Sequence, residues 1–162
     1  MSARVIHSND KTRTETAGYF GLLSGTLVRS MDGLLPVEFL APGDRIICRQ
    51  GARRLARVSA NLHDRISLVR ICASTMGHDR PEQDVLVAPD QQILIRDWRA
   101  RALYGADTAA IPASRLVDGE FIVTEIRTNI CLFTLHFAED EIVYAEGLEL
   151  ACPALTPAFS DA

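Results

Sequence analysis

Side chains able to do acid–base or nucleophilic chemistry are few in this chain and stand apart from one another. Four histidines, His7, His63, His78 and His136, are the only imidazoles, and imidazole is the side chain that most readily takes and gives a proton near neutral pH. His7 stands in a polar opening stretch. His63-Asp64 and His78-Asp79 sit in polar, loop-like surroundings that predict solvated rings. His136 lies in Phe133-Thr134-Leu135-His136-Phe137, where strand alternation puts the two phenylalanines and Leu135 on one face and His136 on the other, half-exposed one. The run Glu139-Asp140-Glu141 offers oxygens to a hard cation, but three consecutive carboxylates cannot converge on one ion, so a solvated hairpin turn is the expectation. Ser24, between Gly21 and Gly25, has a nucleophile's hydroxyl but no base close in sequence. No nucleophile-elbow, Walker or dinucleotide-binding pattern is present.

The four cysteines, Cys48, Cys72, Cys131 and Cys152, form no Cys-x-x-Cys and no Cys-His pair at ligand spacing, so the pattern calls for neither metal nor cofactor. Apolar flanks (Ile46-Ile47-Cys48, Ile71-Cys72-Ala73, Ile130-Cys131-Leu132) predict buried free thiols, the ordinary state in a reducing cytoplasm. The net charge of -4 argues against a general nucleic-acid binder, although the charge is unevenly placed. Residues 1–80 hold 12 Lys/Arg against 7 Asp/Glu, and residues 81–162 hold 5 against 14. Arg45, Arg49, Arg53, Arg54 and Arg57 make a basic stripe that could contact phosphate. The plainer reading is the solvated face of a hairpin, and no Trp or Tyr interleaves the arginines to stack on bases.

These residues must be positioned by a chain of 162 residues that is 48% hydrophobic and 23% charged, enough for one domain with a real core. No apolar run exceeds the four residues of Val85–Ala88, Ile130–Phe133 or Ile142–Ala145. That is too short for a membrane span or a secretory signal. A cytoplasmic protein is expected, with export by another route left open. A disordered leader over 1–18 and a flexible tail over 153–162 are expected to flank one folded unit over 19–152. Strands are predicted at Thr26–Val28, Leu35–Val37, Arg54–Ala60, Ile66–Cys72, Val85–Ala88, Gln92–Arg96, Phe121–Ile126, Leu132–Phe137 and Glu141–Ala145, and within Leu40–Ile47 a Pro-Gly turn leads into another apolar strand. Turns at Met31-Asp32-Gly33, Pro42-Gly43 and Pro89-Asp90 separate several of them, and residues 73–84 read as a polar loop. One helix is predicted, with Asp97 as N-cap, Trp98–Tyr104 as body and Gly105 as stop; a short helical turn is expected over Ala113–Leu116. Trp98 is expected to dock that helix on a sheet. The pattern is a compact all-β domain.

Several of these segments share a further likeness. Gly25-Thr26-Leu27-Val28, Asp32-Gly33, Pro36-Val37-Glu38, Leu40 and Pro42-Gly43-Asp44 resemble the opening of bacterial Hint (hedgehog/intein) domains. Ala88-Pro89-Asp90-Gln91-Gln92-Ile93-Leu94-Ile95 with Asp97-Trp98-Arg99 resembles their second block. Ile111-Pro112-Ala113 and Glu141-Ile142-Val143-Tyr144-Ala145-Glu146-Gly147 follow in the same order as the later blocks. The resemblance implies a horseshoe-like, pseudo-two-fold all-β fold with one short helix. It also implies self-cleavage at the domain's own start by an N–S or N–O acyl shift, in which a Cys or Ser attacks the preceding carbonyl. A Thr-or-Ser, x, x, His block would assist.

At each of those positions this chain departs from the family. The nucleophile slot holds Gly21, the Thr/Ser slot Ala88, the His slot Gln91, and a later histidine position Asp140. A Gln amide can hydrogen-bond, but it does not titrate near neutral pH. The asparagines are Asn9, Asn61 and Asn129, so none stands where a splicing member would cyclise. Ser24 is the one substitute nucleophile in place. The expectation is a Hint-like scaffold or interaction module whose cleft takes an extended peptide or the chain's own flanking segment, with self-cleavage through Ser24 as the alternative.

Overall fold

The computed structural model describes residues 19–154. The expected leader over 1–18, His7 with it, and positions 155–162 of the expected tail lie outside the described residues. Hairpin turns closed by glycines and prolines divide the rest into short strands: β1 (Leu22–Leu23), β2 (Leu27–Ser30), β3 (Gly33–Pro36), β4 (Arg45–Cys48), β5 (Gly51–Arg54), β6 (Arg57–Ile71), β7 (Val85–Val87), β8 (Gln92–Ile95), β9 (Ala109–Pro112), β10 (Ile122–His136), β11 (Glu141–Ala145) and β12 (Leu148–Cys152). Among the described residues the one α-helix, α1 (Trp98–Tyr104), starts where Asp97 accepts a hydrogen bond from the Arg99 amide and stops at Gly105, whose left-handed φ of 67° suits glycine. An antiparallel eight-stranded sheet runs β3-β2-β4-β11-β12-β8-β9 with β5 on the far side of β4, and a four-stranded sheet runs β1-β10-β6-β7. The core gathers the inward positions of both, among them Val28, Ile46, Ile93, Ile122, Leu135, Phe137 and Val143.

Two halves of the large sheet are built alike. In one, β2 and β3 pair from Leu27–Pro36 to Ser30–Gly33, and a 3-10 turn Val37–Phe39 follows the proline. In the other, β8 and β9 pair from Gln92–Pro112 to Ile95–Ala109, and a 3-10 turn Ala113–Leu116 follows that proline. The Val37 amide donates to the Thr26 carbonyl and the Ala113 amide to the Gln91 carbonyl, so the same bond closes both units. Proline fits because it fixes φ and gives up a donor where the strand ends. Val37 with Leu40, and Ala113 with Leu116, put apolar side chains three residues apart into the core. This internal two-fold relation is what the fold implied by the resemblance requires.

Three expectations are corrected. Arg54–Ala60 and Ile66–Cys72 are not two strands with a loop between them. β6 runs unbroken for 15 residues, paired with the equally long β10 from Arg57–His136 to Ile71–Ile122. The same holds for Phe121–Ile126 and Leu132–Phe137, which are the two ends of β10. The polar middles, Asn61 to Arg65 and Arg127 to Asn129, belong to a two-stranded ribbon with little core on either face, so polar side chains there break no pattern. His63 is therefore a strand residue, its ring edge-on to Tyr19 at 5.3 Å. Second, Trp98 does not dock α1: it is 69% exposed, with the Arg99 guanidinium 5.0 Å from its ring, and Ala100 is the helix's buried side chain. A seven-residue helix held by one alanine and two caps does not need the indole. Third, Glu141 is not in a solvated turn: it begins β11, buried, with Arg53 Nε 3.2 Å from its Oε2.

Substituting Trp98→Ala is expected to shift unfolding stability by no more than about 0.5 kcal/mol, whereas Leu135→Ala, fully buried on β10, should cost about 2–5 kcal/mol. Urea midpoints of the two variants check this, and a large loss in Trp98→Ala would mean the helix packs otherwise.

Candidate functional site

The described chain enters the domain as a narrow strip laid between two partners. Tyr19 and Asp90 exchange hydrogen bonds: the Tyr19 amide donates to Asp90 Oδ2 at 2.7 Å and the Asp90 amide to the Tyr19 carbonyl at 3.0 Å. The Gly21 amide donates to Gln91 Oε1 at 3.1 Å. On the other side, Leu22 and Leu23 pair with Phe133 and Leu132 of β10, and the Ser24 amide reaches the Cys131 carbonyl at 3.3 Å. Residues 19 to 24 are thus pinned by the Pro89-Asp90 turn on one flank and by β10 on the other.

Gly21, in the expected nucleophile slot, is buried with φ +112°, a backbone conformation that side-chain-bearing residues rarely adopt. A Cβ placed there would stand 2.8 Å from the Phe133 carbonyl oxygen and 3.2 Å from Thr134 Oγ1. The backbone of β10 therefore fills the space where a Cys or Ser side chain would begin.

Gln91, in the histidine slot, is 4% exposed and its amide is fully engaged. Nε2 donates to the Ala151 carbonyl at 2.8 Å and to the Gln92 carbonyl at 3.1 Å, while Oε1 faces the Gly21 amide. Turning the amide over would set Oε1 against two carbonyl oxygens and NH2 against an N–H donor, so its neighbours fix its orientation. Ala88 is fully buried, and its carbonyl accepts from the Gln91 amide at 3.1 Å across the turn. Three of the four expected slots, Gly21, Ala88 and Gln91, are therefore drawn together. The fourth, Asp140, lines a groove of about 430 Å³ with Phe20, Ile142, Cys152 and Pro153. Its Oδ1 accepts from the Ala154 amide at 2.7 Å, beside a bridge between Phe137 and Ala154. Pro153 and Ala154, expected in the tail, are thus fastened where the chain leaves the domain.

The remaining candidates lie elsewhere. Ser24 is exposed in the turn after β1, touching Glu38, whose Oε1 also accepts from the Gly25 amide at 2.6 Å. Those hydrogen bonds, the Gly25 amide foremost, hold the Glu38 carboxyl below the usual range, which weakens it as a base. His78 is exposed beside Asp79, as expected. His136 Nε2 stands 3.2 Å from Ser59 Oγ; burial first, and Arg57 second, push its pKa below that of an ordinary histidine. Cys48 and Cys152 are buried and free, both pushed up to about 12 chiefly by burial, which makes them poor nucleophiles. Cys72 and Cys131 are only half-buried, since each sits at a ribbon or loop margin. Among the described residues no cluster of His, Cys, Asp and Glu could hold a metal, and no helix is long and apolar enough to cross a membrane. The arginine stripe divides across the β4–β5 hairpin: Arg45 stands opposite Arg54, Arg53 pairs with Glu141, and Arg49 reaches Glu149. The sequence reading passed over Glu149. Its one signal is a charged residue between Leu148 and Leu150 in a strand where every other position but Ala151 is buried.

An all-β architecture of paired hairpin units, with its incoming and outgoing chain fastened on either side of one groove, defines an intein-like fold. The profile of the Hint domain family matches residues 20–152, and the chain belongs to that family. Solved structures share the fold at low sequence identity. The bacterial intein-like domain from Clostridium thermocellum is similar with a TM-score of 0.57 at 11% identity, covering 83% of this chain and 99% of that one. The AceL NrdHF class 3 split intein gives 0.53 at 12% identity over 85% and 100%. The gp41-1 intein gives 0.52 at 13% over 82% and 98%. No curated protein matches the sequence.

Gly21→Ala is expected to destabilise the domain by about 1–3 kcal/mol or more, from backbone strain and the close approach to Phe133. Gln91→Ala should cost about 1–3 kcal/mol by stranding the Gly21 amide and the Ala151 carbonyl. Denaturant unfolding of both variants measures this; an unchanged midpoint in either would mean that residue does not hold the incoming strand.

Proposed function

We propose that this Hint domain neither splices nor cleaves itself, and that it works as a β scaffold whose cleft holds the chain's own flanking segment. The observation that carries this reading is the Gly21–Gln91 contact. Acyl transfer at this point requires a side-chain sulfur or oxygen to attack the Phe20 carbonyl carbon, the C–N bond to residue 21 to break, and the departing nitrogen to receive a proton. Gly21 supplies no attacking atom. Its nitrogen faces Oε1, an acceptor that carries no proton, and both Nε2 protons are bonded to other carbonyls. A group that accepts from the amide N–H favours the intact peptide over the transition state.

The same contacts support a holding role. Leu22 and Leu23 lie extended along β10, and the Ser24 amide reaches the Cys131 carbonyl, the way a peptide is taken up by strand addition. Phe20 and Pro153, close to the two ends of the described residues, border one groove, which supports a cleft that receives the chain's own flanking segment.

A second reading, self-cleavage with Ser24 as nucleophile at the Leu23–Ser24 bond, rests on the contact between Ser24 and Glu38. Intact mass spectrometry of the chain carrying a removable N-terminal fusion separates the two. Incubation with and without dithiothreitol or hydroxylamine is expected to leave one mass. Fragments parting at Phe20–Gly21 would overturn the scaffold reading, and fragments parting at Leu23–Ser24 that disappear in Ser24→Ala would establish the second.

A further inference from the structure

Single apolar side chains on a surface call for no explanation, but several of them around a hollow do. The groove of about 430 Å³ beside the incoming strip is such a place. Ile142 and Ala151 stand directly opposite each other on β11 and β12, Ala110 comes from β9, and Phe20 and Pro153 come from the entering and leaving chain. Ile142, Ala151 and Ala110 are half-buried, and Phe20 is 38% exposed. The groove's charges are already engaged. Asp140 Oδ1 accepts from the Ala154 amide at 2.7 Å, Glu141 Oε2 accepts from Arg53 Nε at 3.2 Å, and no Lys, Arg or His lines the walls. An acidic occupant would find no counter-ion here, and both carboxylates that a basic one could meet have partners. The walls suit carbon.

The chain itself brings an apolar segment to this rim. Ala154, directly after the lining residue Pro153, is fixed by its bond to Asp140 and by a parallel bridge to Phe137. Leu155-Thr156-Pro157-Ala158-Phe159-Ser160-Asp161-Ala162 follow in the sequence, outside the described residues. Their one charged side chain, Asp161, comes two positions after Phe159. Five residues beyond Ala154 span at most about 17 Å, which keeps Phe159 beside a groove that begins at Pro153. Attached this closely, the segment meets the groove at an effective concentration on the order of millimolar, ahead of any separate partner. Pro157 has no backbone N–H to leave unpaired and its φ is already fixed, so laying the segment down orders fewer torsions.

We propose that Leu155 and Phe159 fill this groove, so that the outgoing tail is the flanking segment the cleft holds. This rests on the reading that the cleft takes the chain's own flanking segment, and it names which one.

The test is a carbon-edited nuclear Overhauser experiment on the labelled full chain. Contacts are expected from the Phe159 ring to the methyl groups of Ala110, Ile142 and Ala151. In Phe159→Ala those contacts are lost and the Ile142 and Ala151 amide signals shift, while Arg29 and Leu34, on the far side of the large sheet, keep theirs and certify the fold. Three results would overturn the proposal: no contact between Phe159 and these methyls, contacts to Val5 or Ile6 of the leader in its place, or contacts that arise only between labelled and unlabelled copies. Intact mass of the same sample reports cleavage separately. An uncut chain whose leader fills the groove fails this proposal alone, whereas a chain that cuts itself fails the earlier reading wherever Phe159 lies.

Discussion

One side-chain amide fixes how this domain receives its own chain. Gln91 joins the incoming strip at Gly21, the start of β8 at Gln92 and the last strand at Ala151 through three hydrogen bonds. The Gly21 amide is a buried donor whose partner is this side chain, and leaving such a group unpaired costs more than the bond itself contributes. The bridge brings Gly21 against β10 so closely that a Cβ would press on the Phe133 carbonyl. Glycine at 21 and glutamine at 91 therefore make one device: the first permits the approach and the second secures it.

The frame shared with the intein-like structures does not depend on the residues that line the cleft. Hairpin, proline and 3-10 turn recur in both halves of the large sheet, and that repetition places Thr26 and Gln91 in corresponding, buried positions. Packing of Val37, Leu40, Ala113 and Leu116 depends on this frame and owes nothing to a nucleophile. The cleft, by contrast, is shaped by two residues, so its chemistry can change while the core stays as it is.

Much of the fold was legible because turn residues are local. Asp97 and Gly105 bounded the helix, and Asp32-Gly33 and Pro89-Asp90 marked turns where the structure has them. Ordered short blocks such as Pro36-Val37-Glu38 and Ile111-Pro112-Ala113 led to the family. The long ribbon was illegible for a physical reason: polarity was taken to mean loop, yet His63 and Asp64 lie in a strand pair with little core to face. Trp98 misled through its size, since an indole over a guanidinium can remain in solvent. At the site, Gly21, Ala88 and Gln91 could be named from their order in the blocks. The side-chain bonds of Gln91, the backbone of Phe133 pressing on Gly21, and Arg49, Arg80 and Arg96 about Glu149 join residues distant in sequence, Arg49 and Glu149 by 100 positions, which no local pattern records.

Amide hydrogen exchange at Gly21 tests the central claim most directly, because that N–H is the bond on which the incoming strand turns. The account predicts that Gly21 exchanges slowly in the native chain, and that in Gln91→Ala its protection falls while Ile122, in the buried end of β10, keeps its own. A Gly21 amide exchanging at the rate of an open peptide in the native chain would contradict it.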